Sequence, residues 1–240
     1  EKKRKRNRVR ISNMNTLFQP PKKREEEGRI RASFCHLNES SWEVPQKAFY
    51  DSSGFKFNVF LTEELMRIKR KTEENCVEVK DGFDVNQGIA IKGDRSRVIL
   101  EAPNSSVESR PFVDGRNVKP YVIDIDQTPK ENYLIYDPKT IHSGGSKGKF
   151  LTEKKLVFRR TGQDLVAAVD ENRLFALNTL VVTNVREDNK LGLTVDDVYV
   201  LLGILNSEFV NLYFCLFKKS VKQVFSEIQA REVETIPLPQ

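Results

Sequence analysis

The chain is poor in the residues that build metal and redox sites. Its 240 residues include three cysteines, two histidines, one tryptophan and two methionines. Cys35, Cys76 and Cys215 lie far apart, and no Cys-x-x-Cys spacing exists, which argues against a zinc knuckle. We expect each thiol to be a small buried hydrophobe in a reducing compartment, and hence a cytoplasmic protein. His36 and His142 share no metal or triad spacing, and His142 is expected to be a solvated loop residue. No apolar run approaches the roughly 20 residues that span a bilayer, so no membrane partner is expected. The chain opens at Glu1 with neither Met nor an apolar leader, and we expect it to be a fragment of a longer protein.

Catalytic signatures are missing as well. A nucleotide loop crowds backbone amides around phosphate in a Gly-x-x-x-x-Gly-Lys-Ser/Thr spacing. The nearest stretch, Gly144-Gly145-Ser146-Lys147-Gly148-Lys149-Phe150, has the wrong spacing and puts Phe150 where a metal-binding hydroxyl belongs. It reads better as a mobile basic loop. Methyl transfer to an adenine amino group needs an Asn/Asp/Ser-Pro-Pro-aromatic tetrapeptide, whose ring stacks on the flipped base. The one Pro-Pro, in Gln19-Pro20-Pro21-Lys22, lacks the ring. No Gly-x-Gly loop after a strand offers a dinucleotide site, and no paired carboxylates stand out. The chain is therefore assigned no catalytic residue, no cofactor site and no metal site of its own.

What is present is unevenly spread. The formal charge of +6 is concentrated at the start, where residues 1–31 carry 12 Lys/Arg against 4 Asp/Glu. The rest of the chain holds 28 basic and 30 acidic residues, so total charge alone does not argue for nucleic acid. Residues 61–72 have helical spacing behind Thr62 as N-cap. From about 75 to 185, short β-branched and aromatic runs alternate with Gly, Asn, Asp and Pro. They include Val77/Val79, Ile89/Ile91, Tyr133–Tyr136, Leu156–Phe158 and Thr179–Thr183, with Asp170-Glu171-Asn172 as a hairpin turn. The period then changes. Thr194-x-x-Asp197 resembles a capping box. Val198, Leu201, Leu202, Leu205, Phe209, Leu212, Tyr213 and Leu216 form an apolar stripe, expected to be core, that Asn206-Ser207 interrupts with a break or kink. The expected fold class is α+β, a mixed β-rich domain with a C-terminal helical segment.

Three stretches in order carry a family pattern. Pro111-Phe112-Val113-Asp114-Gly115-Arg116-Asn117-Val118-Lys119-Pro120-Tyr121 resembles the hydrophobic-x-Gly-Arg-Asp/Asn-Ile/Val-x-x-Tyr segment of TaqI-like specificity domains. Leu201-Leu202-Gly203-Ile204-Leu205-Asn206-Ser207 looks like their Leu-Gly-x-Leu-Asn-Ser helix junction, shared with type I specificity subunits. Glu234-Thr235-Ile236-Pro237-Leu238-Pro239 is similar to their Ile-Pro-Ile/Leu-Pro close, and Gly88-Ile89 falls where they carry a Gly-Ile pair. The resemblance implies a DNA target-recognition domain over residues 46–240. Residues 1–45 would be a linker and the end of an adenine-specific methyltransferase domain, as in bacterial type IIG restriction–modification proteins. It implies duplex DNA and that catalytic domain as partners, with S-adenosylmethionine bound by the absent domain. Half of a type I specificity subunit, and a scaffold domain that binds no DNA, are the rival readings.

Base reading needs Lys and Arg on phosphates and Arg, Asn or Gln at base edges. Residues 130–165 carry 8 basic and 4 acidic residues, including Lys147, Lys149, Lys154, Lys155, Arg159 and Arg160. Of these, Lys147, Lys149, Arg159 and Arg160 are candidate DNA contacts, with Gln163 as a base reader. Strand alternation lets at most one of Arg159 and Arg160 point at DNA. Lys92, Arg95 and Arg97, around Gly93-Asp94, form a second candidate group on a basic hairpin tip. Arg116 and Lys119 are read as braces of a shaped turn, and Phe112 as core.

Overall fold

The computed structural model describes residues 8–12, 41–45, 63–103, 107–125, 132–144, 146–162, 164–218 and 227–239. The chain divides into two units, Glu1–Glu74 and Asn75–Gln240. In the first, strands β1 (Arg8–Ser12) and β2 (Ser41–Pro45) pair antiparallel, with Arg8 opposite Pro45. Helix α1 (Glu63–Glu73) matches the periodicity expected for 61–72, and Lys69 pairs with Glu73 one turn on at 2.7 Å. The expected N-cap Thr62 lies outside the described residues.

The second unit is built on many short strands. In chain order they are β3 (Cys76–Glu78), β4 (Phe83–Gln87), β5 (Ala90–Ile91), β6 (Ile99–Leu100), β7 (Ser109–Val113), β8 (Val118–Lys119), β9 (Val122–Ile123) and β10 (Tyr133–Ile135). Next come β11 (Ile141–Ser143), β12 (Lys155–Arg159), β13 (Ala167–Asp170), β14 (Phe175–Ala176), β15 (Leu180–Val185) and β16 (Pro237–Pro239). A central antiparallel sheet has the order β13-β12-β15-β4, and a second sheet the order β14-β7-β10-β6, in which β14 and β7 run parallel. The α+β class read from the sequence is the observed one.

The runs Lys155-Leu-Val-Phe158 and Leu180-Val-Val-Thr183 have no polar alternation because the central sheet is covered on both faces. Leu156, Phe158 and Val181 point to a core shared with the C-terminal helices. Val157, Leu180 and Val182 point to a core shared with the second sheet through Phe112, Leu134, Phe150 and Phe175. Phe112, expected to be core, is almost fully buried opposite Phe175. The chain passes from β4 toward the second core at Gly88-Ile89. There Gly88 donates to the Leu180 carbonyl at 2.9 Å and Ile89 to Ala176 at 2.7 Å. A Cβ on Gly88 would lie 2.1 Å from the Leu177 carbonyl oxygen, so only glycine permits this approach.

Several expected elements differ in detail. Val79 does not continue the strand of Val77. It opens the short helix α2 (Val79–Gly82), because Asp81 reaches back to the Glu78 amide at 2.7 Å. Asp170-Glu171-Asn172 is a turn but not a hairpin, since the chain leaves for β14 in the other sheet. The Asp170 carboxylate bends it by accepting from Asn172 at 2.7 Å and Leu174 at 2.9 Å. The Thr194–Asp197 box is present, with the Thr194 amide donating to Asp197 at 2.7 Å. It leads into helix α3 (Val198–Leu205), followed by α4 (Glu208–Tyr213). The break at Asn206-Ser207 bends the pair by 68°. Because of that bend, only part of the apolar stripe is core. Val198, Leu201, Leu202, Leu205 and Tyr213 are buried, whereas Phe209 and Leu212 are exposed and Val210 faces inward instead. Among the described residues no single helix is long and apolar enough to cross a membrane. A last helix, α5 (Ala230–Val233), precedes β16, which pairs with β3. Cys76 is half-buried and Cys215 exposed, unlike the expected buried hydrophobes; neither is in a disulfide, and Cys35 and His36 lie outside the described residues. His142 is exposed as expected but sits on β11 rather than in a loop.

Lys155 is not a surface cation of the basic region but the buried member of an ion pair. It stands opposite Asp170 in the β12–β13 ladder, and both side chains are fully buried. The Lys155 ammonium donates to the Asp170 carboxylate and, at 2.7 Å, to the Phe150 carbonyl. Burial pushes its pKa below the ordinary lysine value, against the upward pull of Asp170. Removing one charge strands the other, so Lys155→Met should cost about 3–5 kcal/mol in urea unfolding. Lys155→Met with Asp170→Asn should recover part of that loss, since no charge is stranded, although the one amide oxygen can accept from only one of the Asn172 and Leu174 amides. Equal stability of the single and double variants would contradict this account of the pair.

Candidate functional site

The Gly-Arg-Asn motif folds into a turn around a buried amide. Asn117 is almost fully buried. Its side-chain oxygen accepts from the Asp114 amide at 2.9 Å, and its side-chain nitrogen donates to the Asp124 carbonyl at 3.0 Å. Its backbone closes both sides, donating to Asp114 at 3.1 Å and accepting from Asp124 at 2.7 Å. The Gly115 amide donates to the Thr179 hydroxyl at 2.9 Å. Arg116 grips Asp114 through Nη2 at 2.7 Å, and Lys119 pairs with Asp124 at 2.6 Å, so both are the braces expected of them. The resulting platform carries the β8–β9 hairpin, with Pro120 and Tyr121 at its tip.

This turn and the helix junction meet on one residue. Ala167 opens β13, the edge strand of the central sheet, and its outward N–H and C=O have no neighbouring strand. Asn206 supplies both partners, accepting from the Ala167 amide and donating to its carbonyl, each at 2.9 Å. The Tyr121 amide donates to the same carbonyl at 2.8 Å. Asn211 extends the arrangement by accepting from the Leu165 amide at 2.6 Å and donating to Leu205 at 3.0 Å and Ser207 at 3.1 Å. The Leu-Asn-Ser junction is thus a side-chain substitute for a missing strand. The third motif works alike: the Ile236 carbonyl accepts from the Val79 amide at 3.0 Å, and β16 seals β3.

Four of the eight expected DNA contacts, Lys147, Lys149, Arg159 and Arg160, have partners within the fold. Arg159 donates through Nε to the Val118 carbonyl at 2.6 Å, on the side of the second sheet. Arg160 points to the helical side, pairing with Glu227 at 3.2 Å and reaching the Asn178 carbonyl at 3.4 Å. The two arginines do face opposite ways. Lys149 is half-buried and donates to the Asn86 side chain at 2.6 Å. Lys147 pairs with Glu108, which Arg110 also approaches at 3.3 Å. Those contacts pull the Glu108 carboxyl below its usual range. Residues 147–150 form a 3-10 turn rather than a mobile loop. Gln163 lies outside the described residues.

Lys92, Arg95 and Arg97 are different. They are exposed, and none makes a side-chain hydrogen bond or close ion pair among the described residues. The segment is not a hairpin tip, because β5 pairs with β11 and β6 with β10. Gly93 turns it at φ 77°, and Asp94 caps the 3-10 turn Arg95–Arg97 by accepting from the Ser96 amide at 3.0 Å and hydroxyl at 2.9 Å. Those bonds lower the Asp94 pKa, and Arg97 lowers it further. Arg95 adds a minor downward pull on the Asp114 pKa. Sequence reasoning missed the Asn206 clamp and the linkage of the motifs through Ala167. Its one available signal was the pair of asparagines, Asn206 and Asn211, inside an otherwise apolar helical run.

Among the described residues no group of three or more His, Cys, Asp or Glu is placed to hold a metal. A cavity of about 390 Å³ between β16 and α3 is lined by Phe83, Leu193, Leu201, Ile204 and Leu238, with Asp197 as its charged wall residue. A sheet scaffold with motif-braced loops, and a turn whose cations make no side-chain hydrogen bond or ion pair among the described residues, make up this α+β domain. Residues 110–238, more than half of the chain, match the TaqI-like C-terminal specificity domain family, and the chain belongs to that family. The general role of such a domain is DNA specificity in restriction–modification systems. No curated protein matches the chain.

The Asp114–Arg116 brace makes a pH prediction. Burial raises the Asp114 pKa, but Arg116, through its side chain and amide, more than offsets this and leaves it below the usual value. A depressed carboxylate contributes stability above its unfolded pKa and loses it as pH falls through the folded one. The stability gap between the parent chain and Asp114→Asn should therefore be open at neutral pH. It should close on acidification below roughly pH 4. A gap that stays constant in thermal unfolding from neutral to acid pH would remove the charged contribution from the brace.

Proposed function

We propose that this chain is the target-recognition part of an adenine-specific DNA methyltransferase of the type IIG kind, reading a short duplex sequence for a catalytic domain outside it. The family match over residues 110–238 carries this reading. In it the recognition domain holds duplex DNA against the catalytic half, which binds S-adenosylmethionine and receives the flipped adenine. A region 46–240 serving as the reader, with 1–45 leading from the catalytic half, belongs to the same proposal. So does a cytoplasmic location, where DNA and cofactor are both at hand.

The choice of DNA-facing surface is supported by charge availability. A cation held by a carboxylate has to lose or share that partner before it neutralises a phosphate, at a cost that is small for exposed pairs, so Lys147 and Arg160 are the less available contacts. Lys92, Arg95 and Arg97 have no carboxylate at ion-pair distance among the described residues and stand on a capped, glycine-turned segment. They would hold phosphates and fix register, while base readers come from neighbouring loops.

Each phosphate contact releases counterions and contributes about 0.9 to the slope of log affinity against log salt. Replacing Lys92, Arg95 and Arg97 together by Ala should weaken binding to all duplexes alike and flatten that slope by roughly 2–3 units. Lys147→Ala should change it little. Fluorescence anisotropy across a salt series checks both. An unchanged slope in the triple variant would move the interface to another face, and no binding by the parent chain at low salt would sink the DNA reading.

A further inference from the structure

The tip of the β8–β9 hairpin holds a residue in a conformation that packing does not reward. Lys119 and Val122 pair across the two-residue loop Pro120-Tyr121. Proline fixes its own φ near about −65°. Tyr121 follows at φ 69°, the pattern of a type II turn whose second position normally takes Gly or Asn. A bulky side chain in the left-handed region is unfavourable and persists only where its surroundings over-determine it. Here they do, through the Tyr121 amide on Ala167, Arg159 on the Val118 carbonyl and Lys119 on Asp124. The ring itself gains little from the fold, since Tyr121 remains 55% exposed, as does its neighbour Val122.

We propose that Tyr121 is a DNA-contacting residue, an aromatic tip that this braced turn presents for stacking against an unstacked base step of the duplex. The inference rests on the DNA-reading function proposed above. Three observations favour nucleic acid as the occupant. The apolar tip is small, far below the area that a stable protein interface buries. Two cations flank it, Lys119 and the largely exposed Arg116, each in an exposed bridge to a carboxylate that a phosphate can share at small cost. Arg95, which has no ion-pair partner among the described residues, adds a minor electrostatic pull on Asp114 of the same platform. A rigid aromatic on a stiff hairpin is also suited to a partly opened base step, where proteins insert apolar or aromatic wedges.

The test uses the 240-residue chain, Tyr121→Gly, Tyr121→Phe and a random-sequence duplex pool at low salt. A purely structural role predicts that Tyr121→Gly lowers stability and leaves DNA affinity alone. The stacking role predicts the reverse. Glycine accepts the positive φ, so the thermal midpoint should hold or rise, while DNA affinity should fall by at least about fivefold. Tyr121→Phe should bind like the parent chain, and the salt slope should be the same in all three, since no phosphate contact is removed. Parent-like affinity in Tyr121→Gly overturns this inference while leaving the DNA-reading function standing. So does a loss of self-association at unchanged DNA affinity, which would assign the tip to a second copy. If the parent chain binds no duplex at all, the function and the inference fail together.

Discussion

Covering both faces of the central sheet creates a demand that the rest of the second unit answers. Once β12 and β15 are buried above and below, charges that lie in the sheet lose their water, and the outer edge of β13 has no neighbouring strand to pair with. The edge is satisfied by side chains, with Asn206 doubly bonded to Ala167 and Asn211 to Leu165. The buried charge is satisfied in pairs, with Lys155 on Asp170 and Asp170 on the amides of the next turn. Each solution fixes something else. The Asn206 clamp sets the helix break, and the Asp170 turn sends the chain into the second sheet.

The same demand organises the loops. The Gly-Arg-Asn turn docks by its Tyr121 amide on the carbonyl that Asn206 also uses, so that turn and the helix junction are registered against one strand end. Loops that must read a ligand at ångström precision gain from being tied to a rigid scaffold. Cations near that scaffold are divided accordingly. Arg159 and Lys149 spend their donors on Val118 and Asn86 and help hold the loops, while Lys92, Arg95 and Arg97 stay at the surface with their charge available.

Much of the architecture was legible from residue order. The period-two and apolar runs marked β12 and β15, the Thr194–Asp197 box marked the entry to the helices, and Asn206-Ser207 marked the break. The three motifs that resemble a family lie within or beside the residues that the family matches. Local chemistry suffices for such features because a cap, a turn or a strand period involves residues a few positions apart.

What sequence order could not determine was where each side chain would find its partner. Lys155 read as one more basic residue until the β12–β13 register set it beside Asp170 in a space without water. Phe209 and Leu212 continued the helical stripe, but a 68° bend turned them outward. Lys147 and Arg160 counted as positive charge in the sequence and are paired with Glu108 and Glu227, far away along the chain. Composition and period thus determined the class, the elements and their caps. Tertiary structure alone decided which charges are free, because burial and pairing depend on neighbours that the fold, not the order of residues, brings together.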